Sequence, residues 1–160
     1  MTGAHSPCHF LYFLFRDGII GKRGDNMDTL FCLTFYTQPN GNDRERFHIG
    51  LFTSYEEAKQ IEARYRKEVA GFKDYKCDAE IAEIPVIGRR GNTMQVYRFW
   101  GWNVNDASDE VDILESDSYI NRADAEAACK KAQIATPREE WALDTYTIGQ
   151  CDWQEGFVRI

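Results

Sequence analysis

Three observations predict an α+β protein built from two β-β-α-β repeats, forming antiparallel sheet(s) with helices packed on one face about a pseudo-two-fold. Short apolar alternations of strand period come in pairs. A capped helical stripe follows each pair, and a third strand follows each helix. The whole pattern then recurs about 66 residues later, so that Leu30, Phe31 and Leu33 correspond to Val96, Tyr97 and Phe99. The second helix and third strand follow at an offset of 67, pairing Ala58 with Ala125 and Ile81 with Ile148. The expected organisation is a leader over 1–26, a first repeat over 27–88, and a second repeat with a C-terminal tail over 89–160, both repeats in one compact domain.

The elements follow in order. Thr29 to Thr37 is apolar on both faces, as a central strand is. Asn40-Gly41 is the turn signal before a second strand, Glu45 to Phe52, whose Phe47, Ile49 and Leu51 alternate inward. Thr53 as N-cap and Glu56 three residues on form a capping box for a helix with the stripe Ala58, Ile61, Tyr65 and Val69, stopped by Gly71. Lys76 to Val86 returns as a strand, with Pro85 marking its end or an edge.

In the second half, Gln95 to Val104 carries Tyr97 and Phe99 on one face, Trp100 and Trp102 on the other. Val111 to Tyr119 is the next strand. Asn121 caps a helix with the stripe Ala125, Ala128, Cys129 and Ala132. Thr136-Pro137 ends it, Pro137 opening a short helical turn through Trp141. Ala142 to Gln150 closes the repeat. A repeat of this size buries its apolar surface poorly alone, so the two gain by sharing a core. What covers the second face of the sheet, with Tyr36, Trp100 and Trp102, is left open.

Residues 1–26 resist this grammar. Phe10 to Phe15 is apolar but too short to span a bilayer, and the segment lacks the basic start and cleavage site of a secretory signal. Met27 stands directly before the first patterned strand, after Gly21-Lys22-Arg23-Gly24-Asp25-Asn26, whose residue types suit purine-rich codons. The leader therefore reads as untranslated or disordered, with translation starting at Met27. The cluster His5-Ser6-Pro7-Cys8-His9 lies inside it and lacks a second ligand cluster, so no metal site is expected there.

Composition excludes several classes. A formal net charge of -7 disfavours phosphate-backbone binding and anionic membranes, leaving no nucleic-acid and no membrane partner. It suits a basic protein partner; an exposed sheet face would instead make a second copy of the chain the partner, as a homodimer. Five cysteines with no CxxC pair read as neither a disulfide framework nor a zinc site, which points to a reducing cytoplasm. Cys129 reads as a buried small hydrophobe. The acidic run Asp106, Asp109, Glu110, Asp112, Glu115 and Asp117 fails the calcium-loop pattern, because Val111 stands where glycine is required, and reads as a solvated hairpin.

The chain holds no GxGxxG, P-loop, GxSxG or HExxH motif. His48 is the only histidine beyond the leader and would be the natural general base; Cys151 beside Asp152 is the nucleophile it would need. The most distinctive segment is the tail, Cys151 to Ile160, which has no counterpart in the first repeat. Lining a pocket with it, Trp102, Trp141, Trp153, Glu155 and Arg159 are the candidate ligand- or partner-binding residues; as structure, the same tail is a last strand sealing the sheet.

The stretch His48-Ile49-Gly50-Leu51-Phe52-Thr53-Ser54-Tyr55-Glu56-Glu57-Ala58, continued by Gly71-Phe72-Lys73-Asp74-Tyr75, resembles a module of small uncharacterised bacterial proteins. In those, a strand leads into a Glu-Glu-Ala helix, a Gly-Phe-x-x-Tyr turn and a further strand. The resemblance covers roughly residues 48–84 and implies fold and bacterial origin, with no activity. The resulting expectation is a non-catalytic, cofactor-free cytoplasmic binding or interaction protein. The alternatives are a small enzyme with a site near Cys151 and Asp152, and a self-associating structural protein.

Overall fold

The computed structural model describes residues 28–37, 45–104 and 111–159. The leader with its His5–His9 cluster, the turn at Asn40-Gly41 and the first half of the acidic run lie outside the described residues. The elements are β1 (Thr29–Thr37), β2 (Glu45–Phe52), α1 (Tyr55–Glu68), β3 (Asp78–Ile87), β4 (Gln95–Val104), β5 (Val111–Glu115), β6 (Ser118–Tyr119), α2 (Arg122–Ala135) and β7 (Glu140–Thr147).

The fold is α+β. All seven strands form one curled sheet, in the order β2-β1-β3-β6-β4-β5, with β7 on the other side of β4. The pairings are antiparallel except one. Val86 and Ile87 of β3 run parallel to Ser118 and Tyr119 of β6, and this two-residue seam joins the halves of the sheet. The expected all-antiparallel sheet is corrected there: the joint links two strands that enter it from different hairpins, with no turn between them to reverse direction.

Alternation of side chains sorts the strands into an outer and an inner face. On the outer face of the first half, Leu33, Phe35, Phe47, Ile49 and Phe52 pack with Ala58, Tyr65, Val69 and Phe72. Phe35 lies 5.0 Å from Phe72 and 6.2 Å from Tyr65, ring to ring. Each such ring, fully buried, contributes about 1.5–3 kcal/mol. On the outer face of the second half, Phe99 packs with Cys129 and Ala132 of α2, flanked by Trp141 and Leu143. Ala125 and Ala132 are buried, and their small side chains bring α2 close to the sheet.

The inner faces of the two halves meet. Leu30, Cys32, Leu51, Ile84, Val86, Val96 and Ile148 form one cluster drawn from both. Each half of the sheet therefore covers the other, which answers what covers the second face.

Several local expectations shift. Ser54, not Thr53, caps α1: its Oγ accepts from Glu57 N at 3.1 Å, and Glu57 Oε2 accepts from Thr53 N at 3.1 Å. The capping box is real and one residue later, since Glu57 rather than Glu56 reaches back. Strand β7 begins at Glu140 and includes Trp141, so no helical turn follows Pro137; pairing with β4 extends the strand back to Trp102↔Glu140. The strand expected over 111–119 breaks at Ser116, whose Oγ accepts from Phe99 N.

Candidate functional site

Where β2 faces β7, the sheet does not close by strand pairing. β2 pairs with β1, β7 pairs with β4, and a cleft of about 290 Å³ lies between them. Its lining comprises His48, Gly50 and Leu51 of β2, Asp144 to Thr147 of β7, and Gln150 and Asp152 beyond it.

A β-bulge builds the β2 wall. Leu33 pairs with Gly50 but Thr34 pairs with His48, so Ile49 is an extra residue. The bulge breaks the expected run of Phe47, Ile49 and Leu51 on one face. Phe47 and Ile49 pack against α1, while Leu51 turns into the inner cluster. It thereby puts His48 and Leu51 on the same, inner face, a common use of bulges beside sites.

The tail builds the far end. Gly149 N donates to Leu51 O at 2.8 Å, and Asp152 N donates to Ile49 O at 2.7 Å. A Cβ at Gly50 would collide with the Gln150 carbonyl, so glycine lets the tail cross β2 at this distance. Tyr65 Oη donates to Asp152 O at 2.5 Å. Held at both ends of its backbone, Asp152 places Oδ2 3.5 Å from His48 Nδ1.

Two charge environments meet here. Behind the cleft, Arg98 is 1% exposed and directs Nε and Nη2 to Ser116 O at 3.1 and 3.0 Å. Glu115 serves both Arg98, at 3.3 Å, and Arg46, at 2.5 Å. The two guanidinium groups lie over the Trp100 ring at 5.0 and 5.1 Å. Arg98 Nη1 and His48 Nε2 are buried without a hydrogen-bond partner among the described residues.

Burial, with the Arg98 charge second, lowers the His48 pKa to about 4; the Asp152 carboxylate opposes this in part. At neutral pH His48 is uncharged. Burial first, then Asp144, pushes the Tyr146 phenol up to about 12. The cleft thus presents the carboxylates of Asp144 and Asp152, a neutral imidazole and the Tyr146 ring, with no lysine or arginine in its lining.

The candidates read from sequence lie apart from one another. Trp102 is on the inner-face parity of β4, opposite Ile113 and Glu140. Trp141 is on the outer face, 6.2 Å from Phe99 and over Gly101. Trp153 stands edge-on to Phe47 at 5.0 Å, Glu155 is exposed in the turn after it, and Arg159 lies 4.6 Å over Tyr75. Trp153 and Arg159 belong to the outer side of the first half rather than to a pocket with Trp102 and Trp141. The tail straps that half: Phe157 stacks on Phe47 at 4.7 Å and meets Phe72 at 5.0 Å.

His48 and Asp152 do come together. Cys151 packs with the α1-side cluster, so its thiol and the His48 imidazole face opposite sides of β2. Sequence reasoning missed Asp144, Tyr146 and Gln150. Alternation along β7 puts Asp144 and Tyr146 on one face, opposite Arg98 and Val96, and Leu143 on the other, but nothing in the sequence brings that face to His48.

Among the described residues there is no grouping of three metal-ligating side chains and no helix long and apolar enough to cross a membrane. No protein-family model, curated protein or solved structure matches the chain.

Proposed function

We propose that the protein is a non-catalytic binding protein of the bacterial cytoplasm, and that the β2–β7 cleft captures a basic side chain of a protein partner. One observation carries the reading. Asp144 and Asp152 line a single cleft beside an aromatic ring, and among the described residues no lysine or arginine lines it. A guanidinium suits this set because it donates to two carboxylates and stacks on a ring. The net charge of -7 favours a basic partner at longer range. Four free cysteines among the described residues are in keeping with a reducing compartment.

The test is titration with Nα-acetylarginine methylamide, followed by NMR. Backbone shifts at Asp144, Tyr146 and Asp152 are expected, weakened at least ~10-fold in Asp144→Asn/Asp152→Asn through loss of charge-assisted hydrogen bonds. No shift at these residues up to millimolar ligand overturns the reading.

A catalytic reading has one supporting observation, the contact of His48 with Asp152. It is weaker, because His48 is held neutral as a poor base and Cys151 faces away. Self-association is separated from partner capture by sizing chromatography across concentration.

The two-repeat reading is part of the same proposal. Support comes from the ladders: Phe31↔Phe52 maps onto Tyr97↔Tyr119, and Thr34↔His48 onto Trp100↔Glu115, at offsets of 66 and 67. The bulge at Ile49 thus has a counterpart at Ser116. The third strands correspond at 62 rather than 67, Val86 N to Asp28 O matching Ile148 N to Met94 O. Under this mapping His48 and Glu115 are equivalent positions, and so are Ile84 and Tyr146.

A further inference from the structure

β7 lines the cleft with four consecutive residues, Asp144, Thr145, Tyr146 and Thr147. Successive side chains of a strand point to opposite faces. Four in a row can line one cavity only if the strand presents its edge. That edge is open: over Glu140–Thr147, β7 pairs with β4, and no strand pairs its other side among the described residues. β2 is different, because Gly149 and Asp152 of the tail already occupy its outer carbonyls at Leu51 and Ile49.

The two sides of an added strand would meet different surroundings. On the inner side they would meet Asp144, Tyr146, His48 and Asp152. On the outer side they would run beside Leu143, which belongs to the α2-side apolar cluster. A residue placed opposite Asp144 points into the carboxylates, and its two neighbours point to the apolar side.

We propose that the partner binds as an extended segment adding a strand to the free edge of β7, with an arginine directed inward between Asp144 and Asp152 and apolar or β-branched residues on either side of it. This rests on the basic-side-chain reading above and adds the backbone as a second recognition element. Strand addition of this kind draws affinity from main-chain hydrogen bonds and specificity from alternate side-chain pockets. The charge behind the site opposes an incoming cation in part, since Arg98 and Arg46 both act on His48; Glu115, paired with both, and Ser116 O, which accepts from Arg98, offset part of it.

The experiment uses the full chain and the peptide acetyl-Thr-Val-Arg-Val-Thr-amide. Three comparators are needed: Nα-acetylarginine methylamide, and two versions of the peptide N-methylated at alternate amides. The peptide is expected to bind at least ~10-fold more tightly than the arginine derivative, a difference that two or three net backbone hydrogen bonds supply. One N-methylated peptide should bind like the parent and the other should lose binding, since alternate amides of a strand face opposite edges. Amide exchange at Trp141, Leu143 and Thr145, whose N–H groups face away from β4, should slow in the complex.

If both methylated peptides bind like the parent while Asp144→Asn/Asp152→Asn still weakens all ligands, strand addition is overturned and side-chain capture stands. If neither the peptide nor the arginine derivative binds, both fall. Slow exchange of the Trp141, Leu143 and Thr145 amides in the free chain, whose N–H groups face away from β4, would show that the edge is already occupied from within the protein, and would overturn the strand proposal alone.

Discussion

Removing the carboxylate of Glu115 should strand a buried cation, and the cost is open to calculation. Glu115 bonds Arg46 at 2.5 Å and Arg98 at 3.3 Å. The Arg46 side chain is 23% exposed and can rehydrate, so its share is about 0–1 kcal/mol, as for surface pairs. Arg98 is 1% exposed and cannot. Removing one partner of a buried pair costs about 3–5 kcal/mol. Glu115 is itself 29% exposed, so water can take part of its place, and Arg98 keeps two hydrogen bonds to Ser116 O; both put the cost at the low end. Glu115→Ala should therefore lose about 3–4 kcal/mol.

The companion variant Glu115→Ala/Arg98→Met removes the stranded charge but leaves the Ser116 carbonyl unpaired, at about 1–3 kcal/mol. It should be more stable than Glu115→Ala alone by about 1–2 kcal/mol. Urea unfolding followed by tryptophan fluorescence measures both, with Trp100 between the two arginines as reporter. A loss below ~1 kcal/mol for the single variant, or a double variant no more stable than the single, would refute a desolvated Arg98.

Two further outcomes follow from the same geometry. His48 has a folded pKa of about 4 against an unfolded value of 6.5, so between these pH values the unfolded chain takes up a proton that the fold refuses. Its effect is absent above the unfolded value, and stability falls as pH drops through this window, by roughly 3 kcal/mol in all at 1.36 kcal/mol per unit. His48→Gln should flatten the stability profile between pH 6.5 and 4.5 relative to wild type; parallel profiles would count against a neutral buried imidazole. Phe157→Ala removes the ring stacked on Phe47 and meeting Phe72, and should lower stability by about 2–4 kcal/mol with an unchanged denaturant slope. A change within 0.5 kcal/mol would mean that the tail does not brace the first half.

The α+β class and most elements were legible because they rest on local rules. Caps at Asn121 and near Thr53, the 3.6-residue stripes of α1 and α2, and strand alternation in β1 and β4 depend on neighbours in sequence. The bulge at Ile49 was not legible. It flips Leu51 away from Phe47, and its one mark in the sequence is Gly50, a glycine inside a strand, which does not say where the register shifts. The parallel β3–β6 seam and the crossing of the tail over β2 were hidden for a related reason: both are long-range pairings of short segments. The cleft was half legible. His48 and Asp152 drew attention as isolated chemistry, but their meeting depends on the bulge and on the tail. Trp102, Trp141, Trp153 and Arg159 attracted notice because they are large; in the fold, Trp141 and Trp153 pack on Phe99 and Phe47, and Arg159 on Tyr75.

The strap formed by the tail also sets an order of events during synthesis. Phe157 belongs with the aromatic cluster of the first half, and Phe157 N donates to Ala70 O at 3.2 Å. The 87 residues from Ala70 to Phe157 must leave the ribosome before that cluster is sealed. At about 5–20 residues per second this takes about 4–17 seconds, during which Phe47 and Phe72 lack a covering ring. The first half is thus exposed to chaperones and to wrong partners for longer than the second, although it is made earlier.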